Sequence, residues 1–200
     1  MKIAVDLDEV LGDFVGAFLR WYNHHQLGPK LTKADVVNYY FKDILGWTKD
    51  KELATMYRFF DDGEIMNLEL VAGAQAGVKR LAENHELYLV SGRQSRLQQE
   101  TEAWVEKYFP NIFKGIYLAN QHSLDGGAVL DKGTICKNLG CEVLIDDGSQ
   151  HVEPVMAAGI KVVILNHPWN DYHRLPASVV RADNWEEIVT AVERLATEGV

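Results

Sequence analysis

The chain has 200 residues, 47% apolar and 24% charged, with 20 basic side chains against 29 acidic ones and a formal net charge of −9. That length holds one domain or one domain with an insertion, and the composition excludes a disordered chain. A surface this acidic repels phosphate backbones, so no nucleic-acid polymer is expected as a partner; one small phosphorylated ligand held by local cations or a metal stays open. Two cysteines, Cys136 and Cys141, are too few for a disulfide-built secreted fold and read as packing residues. No signal peptide, lipidation motif or long apolar run is visible, so the expectation is a cytoplasmic protein without a membrane partner.

Residues 2–8, KIAVDLD, are short, β-branched and apolar up to their acidic end, which predicts a buried parallel strand. Phe14, Phe18, Trp21 and Tyr22 then fall at helical spacing, up to a stop at Gly28-Pro29. Between residues 31 and 72 only short helical pieces are predicted, such as 49–60, and aromatics are dense there. Residues 15–73 therefore read as a small helical insertion in a core made of residues 1–14 and 74–200. From residue 74 the pattern alternates: helix 74–84, strand 86–91, helix 96–109, strand 115–119, helix 132–139, strand 142–146, helix 153–158, strand 161–165, helix 185–195. Such alternation predicts an α/β fold, a Rossmann-like parallel sheet with helices on both faces. Ligands of such sheets bind beyond the carboxyl ends of the strands.

Three of those ends are polar: Asp6-Leu7-Asp8, Ser91-Gly92-Arg93 and Asp146-Asp147-Gly148. A parallel sheet brings them to one edge, where the carboxylates would repel unless a cation neutralised them. An all-oxygen cluster suits a hard ion, Mg²⁺ above all. Lys132 opens the helix before the acidic strand and is placed to reach the same edge.

In this order, VDLDEV, LVSGR, DKGTICKNLG and LIDDG, the motifs resemble those of the haloacid dehalogenase (HAD) superfamily of phosphohydrolases. Within it the chain is most similar to the 5′(3′)-deoxyribonucleotidase group and its uncharacterised relatives, on DLDEVLGDF, the helical cap, LIDD and the tail segment NWEEI. Where that group often has Gly, this chain has Glu9, and its second motif reads Ser91-Gly92-Arg93 instead of Thr followed by Ser-Pro.

The resemblance implies a HAD-like core with residues 15–73 as its cap, and a Mg²⁺-dependent phosphatase acting through an aspartyl-phosphate on a small phosphomonoester. The leading substrate is a nucleoside monophosphate; the alternatives are a sugar phosphate or other metabolite, and a binding module without turnover. Asp6 would be the nucleophile and Asp8 the general acid and base. Mg²⁺ would be held by Asp6, the Asp8 carbonyl and Asp147, with Asp146 behind them orienting Lys132. Ser91, Gly92, Arg93 and Lys132 would bind phosphate, Lys132 also offsetting the charge of the intermediate. Arg93 could clamp the phosphate or the cap, or be a plain surface residue. Trp47, Tyr40 and Phe41 could stack on a base or form the cap's own core. His24, His25, His122, His151 and His167 lack metal-ligand spacing. A homodimer is an open expectation.

Overall fold

The computed structural model describes residues 1–124, 126–170 and 175–197. Six parallel strands, β1 (Lys2–Val5), β2 (Glu86–Ser91), β3 (Phe113–Leu118), β4 (Val143–Asp146), β5 (Lys161–Leu165) and β6 (Val180–Ala182), lie in the order β3-β2-β1-β4-β5-β6. Among the described residues, eight α-helices accompany them: α1 (Phe14–His24), α2 (Phe41–Leu45), α3 (Lys49–Asp61), α4 (Ala74–Ala82), α5 (Gln98–Tyr108), α6 (Lys132–Leu139), α7 (Val152–Ala157) and α8 (Trp185–Thr197). This is the expected α/β architecture.

The strands are apolar on both sides because both faces are covered. Ile3, Val5, Leu87, Leu89, Val143 and Ile145 point to one face and pack with α1, α4, α5 and α8. Ala4, Val90, Leu144 and Ile164 point to the other and pack with α6 and α7, where Cys136 and Cys141 are buried as packing residues. Two close approaches set the helix positions. A Cβ at Gly77 of α4 would lie 2.4 Å from the Trp185 ring of α8, and one at Gly133 of α6 would lie 2.8 Å from the Pro154 carbonyl oxygen of α7.

Helices α1 to α3 all fall between β1 and α4. Phe18 sits at their junction, 4.4 Å from the Phe41 ring and 5.6 Å from that of Phe59. The chain enters and leaves this segment side by side. Gly12 and Leu70 form an antiparallel bridge, Asp13 N–H donates to Glu69 O at 2.8 Å, and Val71 N–H donates to Leu11 O at 2.8 Å.

Several boundaries correct the sequence reading. The strand expected over residues 2–8 stops at Val5, because Leu7 O turns inward to accept from Leu11 N (2.8 Å) and Gly12 N (2.9 Å). A 3₁₀ turn, Ser95–Leu97, takes the place of the first turn expected for α5. Strand β6 was not expected. Cys141 lies beyond α6, which ends at Gly140 in the left-handed conformation, and the returning chain lets the two thiols hydrogen-bond.

Candidate active site

The strand order reverses direction between β1 and β4: β1 leads outward to β2 and β3, and the chain then returns to the other side of β1 for β4 to β6. The loops after β1 and β4 therefore diverge, and a crevice opens at their carboxyl ends. Asp6, Asp8, Asp146 and Asp147 stand at that crevice, and Ser91 to Arg93 follow the adjacent β2.

Lys132 is 2% exposed, in the first turn of α6, an unfavourable place for a cation at the positive end of a helix dipole. Two carboxylates compensate. Its Nζ lies 2.9 Å from Asp6 Oδ2 and 2.7 Å from Asp146 Oδ2. Burial alone would lower the Lys132 pKa; Asp146 and Asp6 hold it above its ordinary value. Asp146 Oδ1 accepts from Gly148 N at 2.8 Å, so both its oxygens are engaged. Burial works against the Asp146 charge, but Lys132 keeps its carboxyl below the usual range.

Asp6 and Asp147 differ. Burial, against the pull of Lys132, pushes the Asp6 carboxyl up to about 7. Burial and then the charges of Asp146 and Asp6 push Asp147 well above the carboxylate range. Asp6 Oδ1 is buried without a hydrogen-bond partner. Asp6, Asp146 and Asp147 each offer an oxygen within 4.8 Å of the others. Three buried carboxylates, only partly neutralised by one lysine and keeping an orphaned oxygen, fit a hard divalent cation such as Mg²⁺.

Asp8 faces a different partner. Arg93, 6% exposed, grips both carboxylate oxygens: Nε to Oδ2 at 2.9 Å and Nη2 to Oδ1 at 2.7 Å. Its Nη1 donates to Thr101 Oγ1 at 3.1 Å, fixing the fork from behind. Arg93 is thus neither a surface residue nor a cap contact here. Ser91 is buried at the end of β2, its Oγ accepting from Arg93 N at 3.3 Å.

A pocket of about 500 Å³ runs from Asp6, Asp8, Ser91, Gly92, Arg93, Lys132 and Asp147 to an apolar wall of Phe14, Phe41, Met56 and Phe60 contributed by α1 to α3. Tyr40 and Phe41 line it, and Tyr40 meets the His122 ring edge-on at 6.2 Å. Trp47 does not: it packs on Tyr22 (5.9 Å) under Lys51, a member of the insert's own core.

The profile of the family described as "5′ nucleotidase, deoxy (Pyrimidine), cytosolic type C protein" matches residues 1–196. The chain belongs to this nucleotidase family. It is a phosphoric monoester hydrolase. A 5′(3′)-deoxyribonucleotidase of Bacillus subtilis is 29% identical to it over 195 residues, 93% of this chain and 95% of that protein. A nucleotidase of Clostridium acetobutylicum is 22% identical over 202 residues, 98% of this chain and 95% of that one. Among solved structures, a HAD-like hydrolase of Streptococcus pneumoniae superposes with a TM-score of 0.66 at 13% identity, covering 96% of this chain and 97% of that chain. A HAD hydrolase of Bacillus subtilis solved with bound magnesium gives 0.63 at 17% identity, covering 96% and 97%. These likenesses show the fold.

Asp6, Asp8, Ser91, Gly92, Arg93, Lys132, Asp146 and Asp147 lie at one crevice of this nucleotidase, and the structure adds others. Trp169 Nε1 donates to Asp147 Oδ2 at 2.7 Å, and Asn170 Nδ2 donates to the Asp147 and Leu165 carbonyls, each at 2.8 Å. Their one sequence signal is position, just past the carboxyl end of β5. Asn120, buried in a left-handed turn, accepts from Ser95 N at 3.0 Å and donates to Gly126 O at 3.1 Å, joining the loop after Arg93 to the loop after β3. His122 and His151 line the pocket, and burial and then Lys132 bring His151 down to about 4, a neutral imidazole. His24 and His25 lie away from it. Trp185, from the NWEEI segment, donates to Val10 O at 2.8 Å and so braces the turn after β1.

Proposed function

We propose that the protein hydrolyses a nucleoside monophosphate, with Mg²⁺ as cofactor, through a phosphoryl group carried by Asp6. One observation carries this reading: a single pocket joins the carboxylates, Arg93 and Lys132 to a wall of aromatic rings large enough for a base. A sugar phosphate would leave that apolar wall without a partner. A binding module without turnover would not need Asp8 and Arg93 beside Asp6.

Asp6, with Oδ1 free of protein partners, attacks phosphorus; the bond from phosphorus to the leaving oxygen breaks. Asp8 gives that oxygen its proton, then takes a proton from the water that attacks the aspartyl-phosphate, releasing phosphate and restoring Asp6. To do so Asp8 must free one oxygen from the Arg93 fork, and the substrate phosphate is the anion that competes for Arg93. Ser91 and Gly92 line the phosphate end, and Lys132 offsets negative charge at Asp6. Asp6, the Asp8 carbonyl and Asp147 would hold Mg²⁺, with Asp146 orienting Lys132. The ion supplies positive charge that lets two anions approach. Residues 15–73 act as a cap that supplies substrate contacts while the core supplies chemistry. No helix among the described residues is long and apolar enough to cross a membrane.

The test is a chromogenic phosphomonoester assay with and without Mg²⁺, followed by a panel of nucleoside monophosphates and sugar phosphates. Mg²⁺-dependent release of phosphate is expected, with the highest kcat/KM on a nucleoside monophosphate. No turnover of any ester overturns the reaction; preference for sugar phosphates overturns the substrate.

A further inference from the structure

Glu9 has no part in the reaction above, yet it is tied at its backbone and at both side-chain oxygens. It is 4% exposed, with φ of 63°, in the left-handed region that residues with a side chain seldom adopt. Such conformations persist where the surroundings over-determine them. Here the backbone N–H donates to Gly12 O at 2.8 Å, and the carbonyl accepts from His167 Nε2 at 2.9 Å. The side chain is fixed at both oxygens: Oε1 accepts from Val15 N, at the start of α1, at 2.6 Å, and Oε2 lies 3.2 Å from Lys33 Nζ. Lys33 also reaches Asp13 Oδ1 at 2.6 Å.

The Asp8 carbonyl and the Glu9 N–H belong to one planar peptide unit. Fixing the N–H toward Gly12 fixes the direction in which the Asp8 carbonyl points. At its other end the same residue grips Lys33, in the 3₁₀ turn Lys33–Asp35 that follows α1. One residue thus spans from the Asp8 backbone to the inserted segment.

We infer that Glu9 is a positioning residue: its left-handed backbone aims the Asp8 carbonyl at the cation site, and its carboxylate docks the insert over the pocket through Lys33. The inference rests on the reaction proposed above.

The test uses the whole protein and Glu9→Ala, Glu9→Gly, Glu9→Gln and Lys33→Met. Calorimetric titration gives the Mg²⁺ dissociation constant without substrate; kinetics give kcat and KM on a nucleoside monophosphate and a small chromogenic ester; melting confirms folding. Glu9→Ala keeps a Cβ in the left-handed turn and loses both ties, and is expected to weaken Mg²⁺ binding about tenfold or more. Glu9→Gly adopts that turn freely and should recover most of the loss. Glu9→Gln breaks the ion pair alone, and Lys33→Met breaks it together with the Lys33–Asp13 pair. They should raise KM for the nucleotide several-fold more than KM for the small ester. A folded Glu9→Ala protein with wild-type Mg²⁺ affinity, or a Gly variant as weak as Ala, overturns the aiming role. If Glu9→Ala does not fold, the Gly variant decides, and tenfold weaker Mg²⁺ binding in it counts against aiming by the backbone. Equal KM shifts on both esters in Lys33→Met overturn the docking role. Wild-type protein that hydrolyses neither ester refutes the reaction, while the Mg²⁺ titrations still decide the role of Glu9.

Discussion

Replacing Lys132 with Met removes a buried charge and little volume. Its ammonium is bonded to Asp6 at 2.9 Å and Asp146 at 2.7 Å, with Asp147 in the same cluster. Removing one partner of a buried ion pair costs about 3–5 kcal/mol, because the other charge stays buried and unpaired. The Asp6 carboxyl is already pushed up to about 7 and Asp147 is raised as well, so protonation relieves part of that penalty. The lower end, about 3 kcal/mol, is therefore expected. At roughly 2–4 °C per kcal/mol for a chain of this size, the melting temperature should fall by about 6–12 °C in a chelating buffer. Mg²⁺ should restore much of the loss, since ligand at 100 times its dissociation constant contributes about 2.7 kcal/mol. Adding Asp146→Asn to the variant should also recover stability by removing an unpaired charge. Thermal melts of the three proteins, in chelator and in Mg²⁺, measure all of this. A Lys132→Met protein that melts within about 2 °C of wild type in chelator would show that the carboxylates are not the strained, cation-seeking cluster inferred here.

Asp6→Asn keeps the shape of the nucleophile without its charge, and turnover of a chromogenic ester should fall about 10³-fold or more. Arg93→Lys keeps a cation but loses the two-pronged grip on Asp8; a loss of about 1.5–3 kcal/mol, roughly 10- to 150-fold in kcat/KM, is expected from steady-state kinetics. Chelation should abolish activity and Mg²⁺ should restore it better than Ca²⁺, whose longer bonds and larger ligand number misplace the phosphate; full activity in chelator refutes the metal site. Tyr40→Ala should raise KM for a nucleoside monophosphate about 5- to 150-fold, the loss of about 1–3 kcal/mol of stacking, and spare a small ester. Equal losses on both esters, with a lower melting temperature, would make Tyr40 a packing residue.

The sheet was legible because its strands are apolar runs ending in charged residues, and β2, β5 and α6 match their expected bounds. Strand β6 escaped because three residues, Val180–Ala182, of which only Ala182 is fully buried, make no pattern. Asp6, Asp8, Ser91, Lys132 and the Asp146-Asp147 pair stood out in combination, as polar residues at three strand ends and one helix start in a set order. Trp169, Asn170 and Asn120 left no such trace. Each is a single loop residue whose value lies in one or two hydrogen bonds across the crevice, and no period or spacing marks it. Glu9 was visible as a departure from its relatives, but the left-handed turn that makes it informative is a property of the backbone. Trp47 takes the second of its two readings, an aromatic that points into its segment's own packing.

The side-by-side passage of Leu11 to Asp13 and Glu69 to Val71 has a consequence for how such enzymes diversify. Both ends of the insert are already held together by main-chain hydrogen bonds, which any residue but proline can make. The entropy of closing a loop on that junction rises only with the logarithm of its length. Residues can therefore be added to the insert or taken from it with little strain reaching β1 or the carboxylates behind it. A chimera carrying a foreign helical segment spliced at these two crossing points should keep the sheet and its acidic edge, and trade one set of substrates for another.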